Sequence, residues 1–170
     1  MVLPNPARLA VMRAGRHARY WSEESPLLNQ ETTAKFLDAL RECPRISSAA
    51  PLPGILIPER QSMPYMREAA ARYQADLLLI YRQETGSYEK YRIARSDQVK
   101  AYCTIEAVLL DVRSGTVPFT TVAFEEIRAG NAADDISFGE TVDRAFHEAE
   151  IRALLQVATA LIQHLNGLRE

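Results

Sequence analysis

The sequence predicts an α/β domain, a mixed five-stranded sheet with helices packed on it in the order β-α-β-α-β-β-β-α. Three observations carry this. Val99 to Arg128 holds two runs rich in Val, Ile, Thr, Tyr and Phe around Asp111-Val112-Arg113-Ser114-Gly115, the pattern of two long antiparallel strands joined by a tight turn. The first half of the chain alternates strand-like and helix-like segments, which favours parallel pairing through crossovers. The chain closes on a long apolar-striped helix. A length of 170 residues suits one domain over 1–170, with 1–6 and 167–170 as flexible flanks.

Taken in order, Ala7 to Ala14 alternates as a strand does, and Gly15 ends it. Tyr20 to Pro26 reads as a loop. Asn29 is placed as the cap of a first helix that ends near Cys43-Pro44, with Thr33, Phe36, Leu37 and Leu40 as its apolar stripe. Arg45 to Leu52 is a short second strand, and Gly54 to Arg60 a connector whose Ile55-Leu56-Ile57 is expected to be packed. Ser62 opens a second helix with Pro64 in its first turn and Met66, Ala69, Ala70 and Tyr73 on one stripe.

Asp76 to Glu84 is a third strand whose Leu77-Leu78-Leu79-Ile80 lacks alternation, as suits a strand covered on both faces. Thr85 to Gln98 is read as a long polar connection, and the hairpin after it as the centre of the sheet. Gly115 can take the positive φ the turn needs, and Asp111 can bond the backbone beyond it. After a loop over Gly130 to Asp135, Ser137 and Glu140 have capping-box spacing for the last helix, which is expected to end at Asn166-Gly167. Its C-terminal half is apolar nearly all round: Val157, Ala160 and Leu161 on one stripe, Leu154, Leu155, Ala158, Ile162 and Leu165 on another. Either the helix is thickly covered, or it is shared with a second surface.

Composition narrows function mainly by exclusion. Apolar residues make up 47%, charged residues 25%, and the formal charge is −2, so no global field recruits nucleic acid or anionic lipid. No stretch reaches the roughly 20 apolar residues of a membrane span. Met1-Val2-Leu3-Pro4 lacks the basic-then-apolar pattern of a secretion signal, which leaves a cytosolic chain and one whose signal has been removed both open. Cys43 and Cys103 cannot build a disulfide framework or a zinc site, and read as two buried free thiols, because a helix end and the middle of a central strand lie too far apart to bridge.

The motifs of nucleotide, α/β-hydrolase and zinc-protease sites are absent. His147 lies three residues from Glu150 on the last helix, without a recognisable further ligand. Glu125-Glu126 and Asp134-Asp135 are paired carboxylates, the second pair suited to a helix N-terminus. Arg8, Arg13, Arg16, His17 and Arg19 collect without an acid until Glu23 and read as a solvated face, since base-reading partners are missing. No catalytic, cofactor-binding or metal residue is assigned, and no cofactor is expected.

Ala71-Arg72-Tyr73-Gln74-Ala75-Asp76-Leu77-Leu78-Leu79-Ile80-Tyr81 resembles a passage of CsgG-like and TolB N-terminal-like periplasmic domains. Ala101 to Ala107, and Leu110 to Thr120 with its Asp-x-Arg-Ser-Gly-x-x-Pro-Phe turn, resemble a narrower group, the rhombotarget lipoproteins. That resemblance implies a periplasmic domain of the bacterial envelope, held at the outer membrane by a lipidated N-terminal cysteine. Cys43 is too deep in the sequence for that role, so the anchor is expected outside this sequence, and no catalytic residues carry over. Pore formation is disfavoured because Thr85 to Gln98 is too short and polar for a spanning hairpin.

The leading expectation is a non-enzymatic envelope module that binds another envelope protein or self-associates through its C-terminal helix, touching membrane only through the lipid. Tyr88, Tyr91, Arg92, Arg95, Leu155 and Ile162 are the candidate contact residues. The alternatives are a small-molecule hydrolase using carboxylates the sequence does not place, and a nucleic-acid binder using the arginines and tyrosines. A deep pocket of converging titratable groups would favour the hydrolase, and a flat surface with an apolar patch the binding module.

Overall fold

The computed structural model describes residues 3–15, 26–90, 98–130 and 138–168. Its elements are β1 (Ala7–Arg13), α1 (Pro26–Arg41), β2 (Ile46–Pro51), a 3-10 turn (Gly54–Leu56), α2 (Met63–Arg72), β3 (Leu77–Lys90), β4 (Gln98–Asp111), β5 (Phe119–Gly130) and α3 (Phe138–Gly167). The five strands form one mixed sheet in the order β2-β1-β3-β4-β5. β1 pairs in parallel with β2 and β3, while β3–β4 and β4–β5 are antiparallel. The predicted fold class and element order are those of the molecule.

Strand alternation sorts the core into two layers. Leu9 and Val11 of β1, Leu77 and Leu79 of β3, and Cys103, Ile105 and Leu109 of β4 face α1 and α3. Ala10, Met12, Leu78, Ile80 and Leu110 face the opposite way, onto Met66, Ala69 and Ala70 of α2. Leu77 to Ile80 is thus covered on both faces, which is why it lacks alternation. α3 packs on β4 and β5 and also on α1. Between them the sheet and α1 use most of the helix's wide apolar surface: Ala153, Leu154, Val157, Ala158, Leu161 and Leu165 are all buried.

Four local expectations are corrected. α1 begins at Pro26 rather than after Asn29, because proline costs little in the first turn, where its missing N–H has no partner to lose. Thr85 to Lys90 is not connection but the far end of β3, paired with β4 out to Lys90 opposite Gln98. The sheet's middle strand is β3, and β5 is an edge. Ile55 is 94% exposed, whereas its neighbours Leu56 and Ile57 pack on the α2 side of the sheet.

α2 spans Met63–Arg72 and covers only the β1–β3 end of its face. Beyond Ile80 and Val108 that face carries Arg82, Glu84 and Gly86 of β3, Tyr102, Thr104 and Glu106 of β4, and Val122, Phe124 and Glu126 of β5. No described helix lies over them.

Candidate functional site: the open face and outer edge of the sheet

β5 brings two exposed apolar side chains to this uncovered face, Val122 at 67% and Phe124 at 57% exposure. Tyr102 of β4 stacks on Phe124, with ring centroids 6.5 Å apart and planes 26° from parallel. Gly86, opposite Tyr102 in register, makes room for that ring: a Cβ on Gly86 would overlap the Tyr102 hydroxyl and the ring carbon that bears it. Glu126 lies among two cations, 3.0 Å from Arg128 Nε and 3.2 Å from Lys100 Nζ, and the hydrogen bond from Arg128 holds its carboxyl below the usual range. A shallow open hollow of about 540 Å³ runs alongside, lined by Ile80, Arg82, Glu106, Val108 and Val122 among others.

On its other side β5 faces a groove against α3 of about 490 Å³, lined by Glu125, Arg152, Leu155, Gln156 and Thr159. Gln156 donates a hydrogen bond to Glu125 across it. Leu155 is 36% exposed at this groove, and Ile162 is partly buried against the main core. Of the other contact residues expected from the sequence, Tyr88 lies on β3 with its side chain outside the described part, and Tyr91, Arg92 and Arg95 lie outside the described residues.

The residues singled out for chemistry do not converge. His147 meets Thr32 of α1, with Nδ1 3.2 Å from the Thr32 hydroxyl, while Glu148 bonds Arg152. Asp134, Asp135, Arg16, His17 and Arg19 are outside the described residues. Arg8 is taken up by Asp76, which accepts from the Arg8 backbone N–H at 2.8 Å and from Nε at 3.2 Å, so the Asp76 carboxyl is held below its usual range. Among the described residues no three His, Cys, Asp or Glu side chains are placed to hold a metal ion. No described helix is long and apolar enough to cross a membrane.

Cys43 and Cys103 are both free and buried. Burial pushes the Cys103 thiol up to about 12, with Glu150 adding to the rise, so the reactive thiolate is scarce at neutral pH. Alkylation without reductant is therefore expected to add no label to the folded protein over the time that adds two in denaturant. A fast-reacting thiol in the native state would show that one of these positions opens.

No family model and no curated protein matches this sequence. The fold, however, recurs among solved structures. A candidate neuraminyllactose-binding hemagglutinin homolog from Helicobacter pylori superposes with a TM-score of 0.53 at 12% identity, covering 96% of this chain and 91% of that one. A candidate lipoprotein from Caulobacter crescentus gives 0.51 at 10% identity, over 95% of this chain and 93% of the other. A minor lipoprotein from Acinetobacter baumannii gives 0.50 at 5% identity, over 93% and 94%.

Proposed function

We propose that this chain is a non-enzymatic protein-binding or assembly module of the bacterial envelope, carried by a lipoprotein of the rhombotarget kind and held at the outer membrane by a lipid attached outside this sequence. The fold it shares with proteins described as bacterial lipoproteins supports the location. The Asp111-x-Arg113-Ser114-Gly115 turn with Pro118-Phe119 supports the narrower likeness. The single observation that carries binding is β5: an edge strand with Val122 and Phe124 exposed beside Tyr102. Exposed apolar side chains on a strand edge with no described neighbour are a liability unless something pairs there.

A photoreactive amino acid at position 124, introduced into the full-length protein in cells, tests this. Protein adducts are expected from 124 and not from position 55, which is still more exposed but follows β2 at the other end of the sheet. A chain that yields no protein adduct at 124 is not a binding module through this surface.

A further inference from the structure

We infer that β5 pairs antiparallel with β5 of a second copy of this chain, about a twofold axis through Ala123. The inference rests on the binding role proposed above and names the partner at the same surface.

The edge itself is suited to pairing. β5 pairs with β4 without interruption from Phe119 to Gly130, so it has no bulge to turn its outer side away. It contains neither proline nor lysine, and its charged residues, Glu125, Glu126 and Arg128, are confined to its second half. The opposite edge, β2, is half as long and ends in Pro51. α3 lies over one face of β5, and no described strand pairs with its outer backbone edge, a regular row of N–H and C=O groups.

The order of side chains along β5 suits a second copy of itself. Phe119-Thr120-Thr121-Val122-Ala123-Phe124-Glu125-Glu126-Ile127 has the same chemistry read in either direction: apolar, polar, polar, apolar, small, apolar, polar, polar, apolar. A twofold axis at Ala123 sets Val122 opposite Phe124, Phe119 opposite Ile127, and each glutamate opposite a threonine, twice over. Such apolar–aromatic pairs across strands stabilise, and no like charges face each other. The ladder ends where Pro118, which has no N–H, meets Arg128.

Neighbouring registers lose this match. An axis at Glu125 opposes that carboxylate to itself, and one at Val122 sets Phe124 against Thr120. A heterologous strand has no reason to require a palindrome, whereas an isologous contact does. On the open face, Val122, Phe124 and Tyr102 of the two copies would merge into one apolar cluster. On the other, the two α3 helices would flank the seam with their Leu155 side chains.

Sedimentation of the full chain is expected to give twice the 19.1 kDa chain mass. Val122→Lys, at an exposed position, should weaken association about tenfold or more while leaving the circular dichroism spectrum unchanged. Register is read separately. Val122→Cys and Phe124→Cys proteins, each alone, should oxidise slowly, and a mixture of the two should form an intermolecular disulfide rapidly; the buried native thiols do not compete. A single-chain species at every concentration, or a two-chain species without the mixed disulfide, overturns the inference. If position 124 still captures a different protein in cells, the binding role stands without it; if it captures none, both fall.

Discussion

Leu161→Ala is expected to destabilise the domain by about 3–4 kcal/mol, while Leu155→Ala, six residues earlier on the same helix, changes stability by less than about 1 kcal/mol. Leu161 is fully buried where α3 meets both the sheet and α1, so truncation leaves a cavity that rigid neighbours on two sides cannot fill. Leu155 stands at the solvent-open groove beside Glu125, and removing it takes little apolar area out of contact. Urea titration with unchanged slope is the measurement, carried out in the Val122→Lys background so that association does not contribute. On heating, the Leu161 variant should melt roughly 6–16 °C lower. Equal costs at the two positions would mean that the Leu155 side of α3 is already packed in a single chain and has no free surface to offer.

That contrast marks where the sequence is informative. Periodicity shows that the last helix is apolar nearly all round, but not which neighbour takes each stripe, since that depends on α1 crossing over the same face of the sheet. The strand and helix order is legible because hairpin, crossover and helix patterns each have their own period. Element ends are harder to read. Pro26 reads as the close of a loop yet starts a helix. Thr85 to Lys90 reads as connection because its polar residues lie on β3 beyond the reach of α2.

The edge position of β5 is hidden for a related reason. Val122 and Phe124 share one parity with Thr120 and Glu126, while Ala123 and Ile127 share the other with Glu125, so both faces look half apolar and neither announces itself as the core. Only the strand order, with no described strand beyond β5, turns Val122 and Phe124 from core candidates into surface. The Tyr102–Gly86 fit is equally hidden, because it depends on a register that sequence spacing does not fix. The palindrome in β5 is plain in the residue order, but it gains meaning only on an edge.

Asp111→Ala should cost about 2–3 kcal/mol, a large effect for one polar residue. Asp111 closes β4 and is fully buried. One carboxyl oxygen accepts from the Arg113 backbone N–H at 3.0 Å, and the other from the Ser114 hydroxyl at 2.6 Å. Its own backbone N–H donates to the Thr116 carbonyl at 2.9 Å, and its carbonyl accepts from Gly115 N–H at 2.8 Å, with Gly115 at φ 75°. Arg67 of α2 then grips the turn from below, donating at 2.6 Å to each of the Val112 and Arg113 carbonyls. Alanine leaves the backbone bonds but strips both side-chain acceptors and empties the buried space the carboxyl filled beneath the exposed turn residues Arg113 and Ser114. Asparagine keeps one acceptor for Arg113 N–H and should lose about half as much. Because Asp111 and Arg67 hold the same turn from opposite sides, their losses should be non-additive in a double-mutant cycle with Arg67→Ala. The turn also sets where β5 starts, so Asp111→Ala should slow the mixed disulfide between positions 122 and 124 even where the chain remains folded. An Asp111→Ala protein within about 0.5 kcal/mol of the parent would show that the Arg67 fork and the backbone bonds suffice, and that the carboxyl group holds nothing the turn needs.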